Sequence, residues 1–288
     1  MARRSSAAPA GLSPASGGKA GFRWLLVVAF AATLALSVRA AQVDPRLLLD
    51  GDALGNVARF ARGMFPPNVS REFLGLMLRP ALETLHISVM GTAIAVLIGA
   101  PLGLLATATL TWRGVLHERA TQAGRWALGF LPYAVARVVL SVFRSIPEYV
   151  WAFMFVRAVG LGPFPGVLAI GVAYGGMLGK VYSEILEAVD PRPLETLHAA
   201  GASRLGVVLY GLLPQALPNV IAYTLYRWEC AIRASAILGF VGAGGLGQHI
   251  ELSMRMFQFD EVLTLLAMLF ALVAMVDWVS GRIRARVA

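Results

Sequence analysis

The stretch Ile87–Leu105 constrains the fold more than any other part of this chain. Every residue in it is uncharged and most are apolar. A helix of about 20 apolar residues crosses the ~30 Å hydrocarbon core of a bilayer. The whole chain is 58% hydrophobic and only 14% charged, whereas a soluble domain carries about 25% charged residues. The sequence therefore predicts an all-α membrane protein.

Further apolar runs bring the predicted number of spans to six. The third is interrupted, because an amphipathic stretch over residues 126–142 precedes a break at Ser145–Glu148, and residues 147–161 complete the crossing. The other five spans are expected at about 22–38, 81–110, 167–185, 217–241 and 262–279.

The N-terminal part divides into a tail, a first span and an external segment. Residues 1–21 are rich in Ala, Ser, Gly and Pro, so we expect a disordered cytoplasmic tail. Residues 22–38 form the first transmembrane helix, although Val38-Arg39-Ala40 resembles a signal-peptidase site and a cleaved signal is the alternative. Residues 39–80 are expected outside the membrane, with an amphipathic helix over about Leu47–Met64.

Basic residues set the expected orientation. The net charge is +9, and arginines cluster in the loop from Arg113 to Arg125 and near the C-terminus. The positive-inside rule places both clusters in the cytoplasm, so with six crossings both termini are cytoplasmic. The transmembrane domain is expected over residues 81–282, followed by a short cytoplasmic tail at 283–288. Membrane topology explains the positive charge better than nucleic-acid binding, since no basic patch interleaved with aromatic residues is present.

The chain offers poor candidates for a nucleotide, metal or catalytic site. Residues 242–247 match G-x-G-x-x-G, but a dinucleotide site needs a preceding strand and a βαβ unit. Gly179-Lys180 lacks the Ser or Thr that a P-loop requires. Cys230 is the single cysteine and the four histidines are scattered. We therefore expect no metal, no cofactor and no enzymatic activity in this chain.

A short helix is predicted between the fourth and fifth spans. Asp190 can cap its start before Pro191, and Gly201 can end it in the left-handed conformation. Leu194, Leu197 and Ala200 would form its apolar face. An ordinary connecting loop is the alternative, but it would not need two caps. The helix is too short to span, so it lies on the membrane or inserts into a partner.

This loop resembles the E-A-A-x3-G-x9-I-x-L-P loop of ABC importer permeases. Glu195, Gly201, Leu213 and Pro214 match in spacing, and Thr196, Leu197 and Gly211 depart from the pattern. The resemblance covers about residues 78–284 and implies a type I importer fold with a methionine-permease-like core. In that family the loop forms a coupling helix that sits in a groove of the ATPase. The residues it implies here are Glu195, Ala199, Ala200, Gly201, Ala202, Leu205 and Pro214.

Other segments resemble the phosphonate permeases within that family. They are residues 145–151, 159–163, 179–180, 223–229 and 233–235. The implied substrate is a phosphonate, with phosphite or hypophosphite as alternatives. The implied partners are ATPase subunits that bind ATP and Mg, a periplasmic or lipid-anchored binding protein, and a second permease copy or a relative. An ion-coupled secondary transporter and a membrane scaffold are remoter alternatives.

The fifth span carries Arg227, Glu229 and Arg233. A charge at the bilayer centre is costly and usually faces a pathway or a partner. Glu229 and Arg233 are spaced i,i+4 and could pair, whereas Arg227 lies about 200° around the helix from Glu229. We expect Arg227 or Arg233 to face the substrate pathway with Glu229 and Ser235, and a structural ion pair is the alternative. The glycines Gly242, Gly244, Gly245 and Gly247 are predicted to form an external gate loop.

Overall fold

A computed structural model describes residues 17–42, 51–111 and 123–287. Within these ranges the regular structure is helical and no strand occurs, which confirms the predicted all-α class. Most of the predicted N-terminal tail (1–16) and of the basic loop (112–122) lies outside the described residues.

The chain divides into two compact units, residues 1–60 and 61–288. In the first unit, α1 covers Gly17–Ala40, and the side chains from Phe22 to Gln42 are exposed. Helix α2 covers Gly51–Gly63 and so begins in the first unit and ends in the second. It falls within the segment in which an amphipathic helix is expected.

The second unit contains the longer helices. They are α3 (Arg71–Leu105), α4 (Ala108–Thr111), α5 (Ala123–Ser145), α6 (Glu148–Val159), α7 (Pro163–Glu187), α8 (Pro191–Ala199), α9 (Arg204–Gly206), α10 (Leu213–Gly239), α11 (Gly245–Arg255) and α12 (Phe259–Val287). Residues Val207–Leu212 form a π-helix that connects α9 to α10.

Five helical segments of the described chain are long and apolar enough to cross a membrane. They are Phe22–Ala40, Arg71–Leu105, Pro163–Glu187, Arg204–Gly239 and Phe259–Val287. Helices α5 and α6 are bent by 88° where they meet, and the pair would supply a sixth crossing. The break at Ser145–Glu148 is the one that the sequence predicts.

Several boundaries differ from the prediction. Helix α3 begins at Arg71 rather than near Ala81, because the Ser70 hydroxyl accepts a hydrogen bond from the Phe73 amide (3.3 Å) and caps the start. The last helix continues to Val287, so the part of the expected tail that the structure describes, residues 283–287, is helical. Helix α11 is not predicted, since its polar sequence lacks the signal of a span.

Helices α3 and α7 pack through a seam of glycines. A Cβ on Gly99 would lie 2.9 Å from the Gly175 carbonyl oxygen, and one on Gly103 would lie 2.9 Å from the Gly179 carbonyl oxygen. Small residues let membrane helices approach backbone to backbone. The seam therefore holds the two helices in a fixed register at the centre of the second unit.

Candidate functional site

The helix between the fourth and fifth spans has the caps that the sequence predicts. The Asp190 carboxylate accepts a hydrogen bond from the Arg192 amide (3.0 Å), and the helix starts at Pro191. At the other end Gly201 has φ +89, and the Ala202 amide donates to the Leu197 carbonyl (3.1 Å). This pattern is a Schellman motif, so both ends of α8 are fixed by local chemistry.

One side of α8 packs against its own chain. A Cβ on Gly211 would lie 2.7 Å from Leu194 Cδ2 and 2.9 Å from Leu197 Cδ1, so these leucines cover the π-helical segment. Ala200 is exposed, which corrects the prediction that it shares the apolar face with the two leucines. The reason is geometric: Ala200 already belongs to the C-terminal cap, where the chain turns away.

The other residues predicted for ATPase coupling lie close by in the chain. Glu195, Ala199 and Gly201 are exposed, Ala202 is half-buried, and Pro214 is exposed at the second position of α10. Leu205 is 73% exposed and Tyr210 is 80% exposed. Tyr210 was missed by sequence reasoning, because a tyrosine within an apolar run resembles span-lining sequence.

A polar junction next to α8 joins the end of α7 to the interior of α5 and to the turn between α3 and α4. The Arg137 guanidinium donates to the Glu187 carboxylate (2.8 Å) and, through Nε, to the Ala106 carbonyl (2.9 Å). The same Glu187 oxygen accepts the Ala108 amide (2.8 Å). The junction therefore ties the end of α7 to α5 and to the turn between α3 and α4. Sequence reasoning missed it, because the partners are far apart in the chain.

The three charges of α10 point in different directions. Glu229 is buried and pairs with Arg284 of α12, with 2.7 Å between nitrogen and oxygen. The expected pair between Glu229 and Arg233 does not form in the described structure. Arg233 is instead exposed, and its guanidinium lies 3.7 Å from the Cys230 sulfur. Helix α10 packs against α12, which brings Arg284 to the buried side where Arg233 does not reach.

Arg227 faces α7. Its guanidinium carbon lies 4.0 Å from the centre of the Tyr174 ring, and one terminal nitrogen contacts the Met177 sulfur. Its Nε is buried and has no hydrogen-bond partner among the described residues. A cation–π contact contributes about 0.5–2 kcal/mol, whereas an arginine at the bilayer centre costs about 2.5–3.5 kcal/mol by translocon scales. The tyrosine ring thus offsets only part of the cost.

Ser235 lies inside the helix packing. It is 1% exposed, and its hydroxyl donates to the Ile232 carbonyl (2.8 Å) and the Thr84 carbonyl (3.3 Å). In this conformation it presents no surface to a passing substrate. Its position joins α10 to α3.

The glycine-rich loop between α10 and α11 is held tightly by its neighbours. Gly242, Gly244 and Gly245 have positive φ angles, and a Cβ on Gly247 would lie 1.7 Å from the Ala236 carbonyl oxygen. The Leu246 amide donates to the Thr84 hydroxyl (2.8 Å). The loop is therefore a constrained turn packed on α3.

A cavity of about 400 Å³ lies among α3, α7 and α10. Its lining is apolar apart from the hydroxyls of Tyr182 and Thr224, which bond to each other at 2.5 Å. An anion would find no free donor on these two side chains. Elsewhere, the described residues contain no group of His, Cys, Asp and Glu side chains arranged to hold a metal.

Comparison with known proteins gives a consistent result. The family described as binding-protein-dependent transport system inner membrane component matches residues 120–288. The phosphite transport system permease protein PtxC of Stutzerimonas stutzeri is 38% identical over 244 residues, covering 84% of this chain and 81% of that protein. Another relative is PhnE2 of Escherichia coli K12, which is described as a cryptic phosphonate transport system permease protein. It is 40% identical, and the match covers 41% of this chain and 97% of that protein.

A solved structure extends the likeness to the fold. It is an inward-facing conformation of the MetNI methionine ABC transporter, with a TM-score of 0.63 and 26% sequence identity. The match covers 76% of this chain and all of the solved chain. The helical core of the second unit is thus similar to a methionine permease, as the sequence predicts.

Proposed function

The chain belongs to the inner membrane components of binding-protein-dependent ABC importers, and we propose that it forms the substrate pathway of an ATP-driven importer for a phosphonate. Phosphite or hypophosphite is the alternative substrate. Relatives named for phosphite transport and for phosphonate transport support this choice of substrate class. Both groups of compounds carry phosphorus oxyanions, so one pathway chemistry would serve either.

The proposed transporter has several components. ATPase subunits bind ATP and Mg, and this chain hydrolyses no ATP itself. A periplasmic or lipid-anchored binding protein delivers the substrate, and the pore is completed by a second copy of this chain or by a related permease. The chain is placed with both termini in the cytoplasm, because its basic segments favour that side.

Helix α8 is proposed to be the coupling helix, and its geometry carries the proposal. The leucines at 194 and 197 anchor it to the π-helical segment, while Glu195, Ala199 and Gly201 remain exposed. A nine-residue helix capped at both ends can transmit a push without unfolding. Ala200, Ala202, Leu205 and Pro214 complete the proposed contact with the ATPase.

The junction at Glu187 would carry a movement of α8 into the membrane-spanning helices. It ends α7 three residues before the Asp190 cap, and it also holds α5 and the α3–α4 turn. Closure of the ATPases on ATP would draw the two coupling helices together and move these ends. We propose that the constrained loop containing Gly242, Gly244, Gly245 and Gly247 is the external gate that responds.

The test is reconstitution of the chain with its ATPase and binding protein in liposomes. Uptake of methylphosphonate and phosphite is measured with and without ATP. We expect uptake that needs ATP and the loaded binding protein. Uptake driven by an ion gradient in the absence of ATP would instead support a secondary transporter, and failure to co-purify with any ATPase would support a scaffold.

The choice of substrate needs a separate measurement. The thermal unfolding of the isolated binding protein is followed with methylphosphonate, aminoethylphosphonate, phosphite and hypophosphite. The compound that raises the midpoint most identifies the substrate. A shift with phosphite or hypophosphite alone would overturn the phosphonate assignment while leaving the importer intact.

A further inference from the structure

We infer that Arg227, held on the face of Tyr174, is a binding site for one phosphorus oxyanion midway across the membrane. The inference rests on the proposed import function and adds to it the place where the anion is held within this chain. It also chooses between the arginines of α10, which the sequence leaves open.

The first argument is depth. At 1.5 Å per residue, Arg227 lies about 21 Å along α10 from Leu213 and about 18 Å from Gly239. Tyr174 lies near the middle of α7, between Pro163 and Glu187. The pair is therefore far from both membrane surfaces, where water or lipid headgroups would satisfy a cation.

The second argument is the missing counter-charge. Other buried or half-buried cations of the described chain have carboxylate partners: Arg137 has Glu187, Lys180 has Glu184 and Arg284 has Glu229. Arg227 forms no ion pair with a described carboxylate, and its Nε lacks an acceptor. The Tyr174 ring orients the guanidinium without neutralising it, and a bound anion would supply the negative charge that the described residues do not.

The third argument is the shape of the donor. A guanidinium presents parallel N–H groups that match two oxygens of one anion, as in arginine–phosphate pairs. Phosphonate, phosphite and hypophosphite all present an O–P–O edge of this kind. The nearby apolar cavity does not compete, because the Tyr182 hydroxyl bonds to Thr224 and the Thr224 hydroxyl donates to the Val220 carbonyl (2.7 Å).

Arg233 is the weaker candidate. Its side chain is exposed and its guanidinium contacts the Cys230 sulfur. This difference separates two arginines that the sequence alone could not distinguish.

The experiment compares three variants in the reconstituted transporter. Arg227→Gln removes the charge, and Arg227→Lys keeps the charge but loses the parallel N–H groups of the guanidinium. Arg282→Gln is the matched control, because Arg282 also stacks on an aromatic ring, Trp278 at 4.4 Å, but is exposed near the end of α12. Uptake of methylphosphonate and phosphite, ATP hydrolysis and co-purification with the ATPase are measured for each.

We expect Arg227→Gln to lower uptake of both anions by about tenfold or more, since a charge-assisted contact is lost. ATP hydrolysis and assembly should persist, and Arg282→Gln should transport normally. Equal uptake by wild type and Arg227→Gln would overturn the inference. Were Arg227→Gln to fail to assemble, Arg227→Lys decides: reduced uptake with normal assembly supports the site, and normal uptake overturns it.

Failure of this inference differs from failure of the proposed function. A wild-type transporter that imports none of the phosphorus oxyanions defeats the proposed function. If the wild type imports them and Arg227→Gln imports them equally fast, only the proposed site is overturned. An acidic residue of a second copy could pair with either arginine or lysine at position 227. Such a pair would appear as lost dimerisation in Arg227→Gln together with normal uptake by Arg227→Lys, which is the outcome that overturns the site.

Discussion

Arg137 donates to the carboxylate of Glu187 across 2.8 Å, and Glu187 lies three residues before the Asp190 cap of α8. The same carboxylate oxygen accepts the Ala108 amide. The Glu187 side chain thus links the end of α7 to α5 and to the start of α4, beside the helix that we propose to contact the ATPase.

Replacing Glu187 by Ala should disconnect this junction. Both hydrogen bonds are lost and the Arg137 charge is left half-buried, so we expect unfolding in detergent to become easier by about 1–3 kcal/mol. The matched control is Glu251→Ala, which breaks the i,i+4 pair with the exposed Arg255 and should cost less than about 1 kcal/mol. Equal midpoints of thermal unfolding for the two variants would contradict the prediction.

Replacing Gly201 by Ala should weaken the attachment of the ATPase. The φ of +89 is unfavourable for a residue with a Cβ, by about 1–2 kcal/mol, so the end of α8 would shift or fray. The measurement is the fraction of ATPase that co-purifies. Gly206→Ala is the control, because Gly206 has φ −61 and a Cβ there would lie no closer than 3.4 Å to a neighbour. A loss of binding in the control alone would refute the expected role of the cap.

Replacing Gly99 by Ala should disturb the central packing. The added carbon would lie 2.9 Å from the Gly175 carbonyl oxygen and 3.0 Å from the Gly179 nitrogen, and overpacking of this kind costs about 1–3 kcal/mol. The control is Gly75→Ala in the same helix, where nothing lies within 4 Å. The midpoint of thermal unfolding should be lower for Gly99→Ala than for Gly75→Ala. An unchanged midpoint for Gly99→Ala would show that the two helices can move apart without loss of stability.

Exchanging the charges of Glu229 and Arg284 tests their pairing. Glu229→Gln alone should destabilise the fold, because it leaves an arginine without its partner, and removing one member of a buried pair costs about 3–5 kcal/mol at most. Arg284 is one-third exposed, with 34% side-chain accessibility, so we expect a smaller loss. The double exchange Glu229→Arg with Arg284→Glu should recover part of it, and additive losses would argue against direct contact.

Local chemistry made both caps of α8 predictable. Asp190 precedes Pro191, and Gly201 comes ten residues after the helix begins. Each cap acts on its own neighbours in the chain, so the sequence reveals it directly. The break at Ser145–Glu148 is visible for the same reason. The start of helix α3 was predicted too late, because its first turns carry Arg71, Glu72 and Arg79 and lack the apolar signal of a span.

The remaining contacts depend on the tertiary arrangement. Glu229 meets Arg284, far along the chain, instead of its near neighbour Arg233, and only the packing of α10 on α12 decides this. Glu187 likewise finds Arg137 through the folding of α5 against α7. Polar residues in apolar runs can be identified from sequence as unusual, but their partners come from helix packing.

The glycine seam between α3 and α7 determines how this protein can move. A slip of one residue along the helix axis, about 1.5 Å, would drive the isoleucine side chains of α3 into the backbone of α7, where Ile94 Cγ2 already lies 2.6 Å from the position of a Cβ on Gly171. The two helices therefore do not slide past each other along their axes. They move as one rigid unit, so a force applied at one end of the pair would tilt both helices together.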